Sequence, residues 1–343
     1  CGLETARLND QLGCHTEGVQ PQLFQPGFSM LVYLLLAVGL LFLMFGGDWL
    51  VKGSVGLAEK LGIPPLIIGL TIVAFGTSAP ELVISLDAAL SGSGGLAIGN
   101  VVGSNIANVF LVLGLPALFA TIQCADKGIK TNLAYLFGLT AAFMIALAGG
   151  EIGRLQGLLL LAFLAAFLWQ QFNTARDSRQ ASDDDYRDEV GDVPNSNRVI
   201  AFYIIIGLIA LPVAAHVTVG AAVEIAQRWN VSNEIIGLTV VAIGTSLPEL
   251  ATGISAARQG NSSVAVGNVI GSNLFNIAAI MGITATVVAV PVGTHIVRFD
   301  MWVMAASTLF LLALPLMNLH IGKKIGTVLL GCYVAYLGIT VVI

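Results

Sequence analysis

The chain is poor in charge. Of its 343 residues only 10% are Asp, Glu, Lys or Arg, whereas 56% are hydrophobic, and the mean hydropathy is +0.88. A soluble domain carries about 25% charged residues, so a soluble fold is excluded. No run of Lys and Arg occurs and the formal net charge is −5. That removes both a basic field for nucleic acid and a polybasic lipid-binding segment. The four cysteines, Cys1, Cys14, Cys124 and Cys332, show no CxxC or metal-ligand spacing, so neither a disulfide framework nor a zinc site is indicated. The stretch before Met30 is polar (CGLETARLNDQLGCHTEGVQPQ) and lacks the apolar core of a signal peptide. Residues 1–29 are therefore expected to be a disordered or mis-assigned tail, with Met30 as the expected start.

Long apolar segments fill the rest. Hydropathy predicts spans near 30–58, 64–90, 96–120, 131–149 and 154–172, then 198–226, 233–257, 264–290, 300–317 and 323–343. The expected fold is all-α and polytopic, with ten transmembrane helices of about 20 residues or more. Between the two sets of five lies a polar stretch, 173–197, holding Asp183, Asp184, Asp185 and Glu189 beside Arg176 and Arg187. It lacks the Gly and closing Glu of an EF-hand loop and reads as a solvated acidic linker.

The two sets are copies of each other. GLTIVAFGTSAPEL at 69–82 recurs as GLTVVAIGTSLPEL at 237–250, an offset of 168, and GNVVGSNIAN at 99–108 recurs at that offset as GNVIGSNLFN at 267–276. The duplicated units are expected to be 30–172 and 198–343. Five spans is an odd number, so the second copy enters the membrane from the opposite face, giving an inverted-topology pair. Ten basic residues, among them Lys60, Arg176, Arg258 and Lys324, then share the linker's side, against Arg7, Arg154, Arg228 and Arg298 on the other. This places the linker in the cytoplasm and both termini outside.

Within the repeated segments lie two carboxylates. An Asp at a helix centre costs about 2.5–3.5 kcal/mol on insertion, so Glu81 and Glu249 need a reason to be in the membrane. Thr77 and Ser78 precede Glu81 by one turn, as Thr245 and Ser246 precede Glu249, which sets hydroxyls and carboxylate on one face. Pro80 and Pro248 deprive the carbonyls of Gly76 and Gly244 of their helical partners and predict a broken helix, of the kind that coordinates Na⁺ or H⁺ in transporters. Ser104 and Asn108, with Ser272 and Asn276, add neutral oxygens four residues apart. Two carboxylates with amides and hydroxyls suit a hard cation, and their charge matches one Ca²⁺ or two Na⁺. Asp87, Asp48 and His216 are weaker candidates, Lys52 is expected to snorkel, and Asp300 reads as a residue of the membrane interface.

The doubled GTSxPE and GNVxGSNxxN motifs resemble the two alpha repeats of the sodium/calcium exchanger and cation/Ca²⁺ antiporter superfamily, in its bacterial members, over Met30 to Ile343. The resemblance implies ion ligands on the second, third, seventh and eighth helices. These are Glu81 and Glu249, Thr77, Ser78, Thr245, Ser246, Ser104, Ser272, Asn108 and Asn276, together with the carbonyls of Ala74 and Ala242. Some relatives carry Asp at one of the two last Asn positions, whereas both are Asn here. The implied activity is secondary antiport of Ca²⁺ against Na⁺ by alternating access in a bacterial inner membrane, with H⁺ or K⁺-dependent coupling as the alternatives and a channel as a rival from another class. No cofactor, enzyme activity or nucleic-acid partner is expected. FGGD at 45–48 lacks the first Gly of an intramembrane protease motif.

Overall fold

The computed structural model describes residues 26–124, 128–181, 194, 196–229 and 242–342. They fold as helices: α1 (Pro26–Leu61), α2 (Pro65–Ile68), α3 (Ala74–Thr77), α4 (Ala79–Leu90), α5 (Gly94–Ala107), α6 (Ile129–Ala148) and α7 (Arg154–Ala181). After these come α8 (Asn197–Arg228), α9 (Ala242–Thr245), α10 (Leu247–Arg258), α11 (Ser262–Phe275), α12 (Gly282–Val287), α13 (Met301–Leu316) and α14 (Lys323–Val342). Seven helices among the described residues are long and apolar enough to cross a membrane, and an eighth span is formed by the bent pair 65–77 and 79–90. Of the remaining two expected spans, 233–257 lies partly outside the described residues, and 323–343 corresponds to the 20-residue α14.

Several boundaries differ from the sequence expectation. The first helix begins at Pro26, inside the stretch read as tail; residues 1–25 lie outside the described residues. Helix α7 runs on to Ala181, into the stretch read as linker, because QQFNTARDSRQA offers good helix formers and neither Gly nor Pro. A small sheet also forms, with β1 (Glu151–Ile152) antiparallel to β2 (Val290–Pro291), and Ile122 bridges Ile321. Both pairings tie a connecting loop of the first half to one of the second.

Local chemistry ends the helices in the same way in both halves. Gly92 closes α4 at φ 81° and Gly260 closes α10 at φ 76°. The next amides, Ser93 and Asn261, each reach back 2.8 Å to the carbonyls of Ala88 and Ala256. Only glycine takes this left-handed turn without penalty.

Around an apolar core, the packing differs from that of a soluble protein in its apolar exterior and its buried polar cluster. Phe42, Ile145, Trp169 and Val334 are exposed on the outside, while Glu81, Asn105, Asn268, Glu249 and Ser272 are buried. Helices α1 and α8 form the most extensive helix pair and meet along a glycine seam. A Cβ added at Gly39 would meet Thr218, one at Gly46 Leu211, and one at Gly53 Ile204. One series of numbers rises as the other falls, so the two helices are antiparallel, although the 168-residue offset makes them counterparts in the repeat. Without a hydrophobic drive between helices in lipid, such close approach is what holds them together.

Asp300 corrects the sequence reading. It is 3% exposed, accepts a hydrogen bond from Tyr336 Oη at 3.0 Å, and pairs with His295 Nδ1 at 2.6 Å. The carboxylate joins the start of α13 to α14 instead of meeting the lipid interface. Asp87, His216 and Lys52 are exposed, and Asp48, half-buried, accepts from Gln259 Nε2 at 3.3 Å.

The seam makes a stability prediction. A Cβ at Gly207 would lie 2.8 Å from Leu50 Cβ and 2.9 Å from its amide nitrogen, whereas one at Gly220 on the same helix meets nothing within 4 Å. Gly207→Ala is expected to destabilise the protein by about 1–3 kcal/mol in thermal melts in detergent, and Gly220→Ala to leave it unchanged or slightly stabilised.

Candidate cation site

The second span of the first half is not one straight helix. A π-helical segment, Gly69–Val73, precedes α3, the chain breaks at Ser78 (φ −84°, ψ 4°), and α4 departs at 44°. In the second half the break falls at Ser246 (φ −87°, ψ 7°), between α9 and α10. Pro80 and Pro248 sit in the first turn of α4 and α10, where a missing N–H leaves no helical bond unmade. Glu81 and Glu249 occupy that same turn. The positive end of a helix dipole favours a carboxylate there.

Both carboxylates are 1% exposed and lie within Coulombic reach of each other. Ser78 Oγ donates to Glu249 Oε1 at 3.1 Å, and the hydroxyls of Thr77 and Ser272 also approach the Glu249 carboxylate. The Thr77 hydroxyl is 3.5 Å from Ser272 Oγ and is shared between Asn268 Oδ1 at 3.3 Å and the Ala74 carbonyl at 3.4 Å. Hydroxyls from the broken helix of the first half therefore surround the carboxylate of the second.

The candidate neutral ligands are carried by α5, α11 and the segments that follow them. Each helix passes into a π-helical segment at the candidate asparagine, Asn108–Val112 in one half and Asn276–Met281 in the other. Such widened turns recur at functional sites. Asn108 Nδ2 donates to Asn273 Oδ1 at 3.0 Å, and Asn276 Nδ2 donates to Asn105 Oδ1 at 3.1 Å. The two bonds are counterparts under the repeat. Ser272 and Asn276 lie one turn apart, on one face of the helix.

Among the described residues, the buried oxygens Glu81 Oε2, Glu249 Oε2, Asn108 Oδ1, Asn276 Oδ1 and Ser246 Oγ have no hydrogen-bond partner. Leaving one buried polar atom unsatisfied costs about 1–3 kcal/mol, and more for a charged group. Five such oxygens fall on the broken and π-turned segments, where a bound cation would supply the missing partner, while Ser54, Thr140, Gln171 and Thr284 each carry another elsewhere. The donors are all oxygen, which suits a hard ion better than a soft transition metal.

Of the remaining predicted residues, Ser104 and Thr245 are buried. The Ala74 carbonyl accepts the Ser78 amide at 3.0 Å. Ala242 opens α9. Four polar residues escaped the sequence reading: Asn100, Asn105, Asn268 and Asn273. Asn100 Nδ2 donates to the Glu81 carbonyl at 3.3 Å and to Ser85 Oγ at 2.9 Å, bracing α4. The signal was present, since each is an Asn within an apolar span whose repeat counterpart is also Asn.

Two stretches, 31–173 and 199–342, match the family described as sodium/calcium exchanger protein. The chain belongs to that family. It is 37% identical to the inner membrane protein YrbG of Escherichia coli, over 90% of this chain and 96% of that protein. It is 33% identical to the sodium/calcium exchanger MaX1 of Methanosarcina acetivorans, over 89% of this chain and 97% of that one. A solved structure of the sodium-calcium exchanger NCX_Mj, soaked with Na⁺ and Sr²⁺, superposes with a TM-score of 0.76 at 29% identity, covering 90% of this chain and 98% of the other. The protein is thus an integral membrane transporter of an exchanger family, not a member of an enzyme family, and its function is cation/Ca²⁺ antiport.

Two buried carboxylates that each keep an unpartnered oxygen predict that cations stabilise the fold. In detergent without Na⁺, millimolar Ca²⁺ is expected to raise Tm by several degrees, since a ligand at 100-fold its Kd adds about 2.7 kcal/mol. Glu81→Gln and Glu249→Gln are each expected to lose most of that Ca²⁺-dependent shift while melting cooperatively.

Proposed function

We propose that this exchanger extrudes Ca²⁺ against entering Na⁺, both ions competing for one midplane site. The ligands would be the carboxylates of Glu81 and Glu249, the hydroxyls of Thr77, Ser78, Thr245, Ser246, Ser104 and Ser272, the amide oxygens of Asn108 and Asn276, and the carbonyls of Ala74 and Ala242. The observation that carries the reading is the set of buried, unpartnered oxygens that includes both carboxylates and both amide carbonyls. With Asn at both amide positions the site holds two negative charges, compensated by one Ca²⁺ or two Na⁺.

Ten spans in two inverted units, 30–172 and 198–343, joined by a cytoplasmic linker at 173–197 with both termini outside, complete the proposal, and the membrane is the bacterial inner membrane. The antiparallel packing of α1 against α8 supports inversion. So do the loop pairings Ile152 with Val290 and Ile122 with Ile321, each of which joins loops that inversion puts on one face. The halves are not in the same state: Ser78 Oγ bonds Glu249, while its counterpart Ser246 Oγ has no partner among the described residues. In the oppositely facing state the halves exchange roles, so that Ser246 bonds Glu81 and Ser78 is released. An empty site carrying two charges resists the crossing, which enforces exchange over leak.

A second reading, H⁺/Ca²⁺ antiport, is favoured by the burial of both carboxylates, each of which can take up a proton as the metal leaves. Proteoliposomes separate the two. Ca²⁺ uptake driven by an imposed outward Na⁺ gradient at equal pH is expected, with none from a pH gradient alone, and adding K⁺ to the same vesicles tests K⁺ dependence. Uptake that follows only the pH gradient would establish the second reading, and flux that runs only down the Ca²⁺ gradient would indicate a channel.

A further inference from the structure

Asn108 and Asn276 present their oxygens to the proposed site only if their amides are held from rotating. A primary amide is nearly symmetric in shape, and a half-turn about Cβ–Cγ would replace the carbonyl oxygen with an NH₂ group that repels a cation. The structure shows what opposes that turn. The Nδ2 of Asn108 is taken by Asn273 Oδ1 at 3.0 Å, and the Nδ2 of Asn276 by Asn105 Oδ1 at 3.1 Å. Asn273 is itself fixed, because its Nδ2 donates to the Asn105 carbonyl at 3.3 Å. Asn105 in turn sets its Nδ2 3.8 Å from Met304 Sδ. All four asparagines are 1% exposed, so water does not compete for these bonds. In each case the acceptor comes from the opposite half of the chain.

We propose that Asn105 and Asn273 are positioning residues for cation binding: by accepting the amide protons of Asn276 and Asn108 across the repeat interface, they keep two carbonyl oxygens turned to the cation. The proposal rests on the assignment of Asn108 and Asn276 as ligands. Its consequence is a division of labour within GSNxxN, in which the first asparagine of one half orients the second asparagine of the other. Because the acceptor and the oriented amide lie on different halves, separation of α5 from α11 would release the amides and weaken the site, whereas the closed brace retains the ion.

The test uses the full-length protein in proteoliposomes, with initial Ca²⁺ uptake measured against external Ca²⁺. Asn105→Leu and Asn273→Leu keep the volume and remove the acceptor. Each is expected to raise the apparent KM for Ca²⁺ about tenfold, the scale of losing one buried hydrogen bond and the ligand it orients, while the maximal rate per reconstituted protein stays within about twofold. A residue needed only for packing would lower the amount of folded protein and leave KM unchanged. Asn105→Ser and Asn273→Ser, too short to reach the amide, carry the same expectation and decide the matter if a leucine variant is not recovered. An unchanged KM in the recovered variants would overturn the proposal. Glu81→Gln is run alongside: if it too transports normally, the site assignment falls, whereas its loss together with an unchanged KM in the asparagine variants refutes the brace alone.

Discussion

Two carboxylates buried inside a membrane protein are the constraint on which the rest of this structure depends. Glu81 and Glu249 are excluded from solvent, and each keeps one oxygen without a partner among the described residues. A charge placed at that depth is costly unless it is paired or lines a cavity. The surrounding features reduce the cost without removing it. The helix breaks at Ser78 and Ser246 set each carboxylate at a helix start, Ser78 donates to one of them, and Asn100 ties down the Glu81 backbone. What is left over is a set of buried oxygens whose missing partner, on the proposed reading, is a cation.

The same residues explain why the chain is duplicated. A single GTSxPE segment supplies one carboxylate and a few hydroxyls from one direction, whereas a hard cation takes six or more oxygens from all around. On the proposed reading, two copies facing each other close that shell. The mutual bonds run between the copies: Ser78 to Glu249, Thr77 to Asn268, Asn108 to Asn273 and Asn276 to Asn105. The proposed ligands and the contact between halves therefore share residues, so an ion bound there would bias that contact. The antiparallel glycine seam between α1 and α8 borders this arrangement and lets the long helices pack closely.

Much of this was legible in the sequence because the repeat is nearly exact at the site. An offset of 168 exposes Glu81 with Glu249 and Asn108 with Asn276 without any knowledge of the fold. Hydropathy also separates the apolar segments, since lipid demands long uninterrupted runs. The π-helical segments at Asn108 and Asn276 were not legible, because a widened turn leaves no compositional mark. The first asparagine of GSNxxN was visible as a repeated polar residue, but its purpose depends on a partner from the other half, 165 or 171 residues away along the chain. Asp300 was misread for a similar reason: its place near the start of a span suggested the interface, whereas Tyr336, from the next helix, draws it inside. The continuation of α7 to Ala181 shows a polar composition being taken for a loop where helix propensity prevailed.

The central claim is that the unpartnered oxygens of the two halves converge on one cation. Diffraction from crystals soaked in Sr²⁺, recorded at a wavelength where strontium scatters anomalously, tests it most directly. The account predicts one dominant anomalous peak within direct coordination distance of carboxylate oxygens from both Glu81 and Glu249. A peak bound to one glutamate alone, or strong peaks only outside the membrane region, would contradict it.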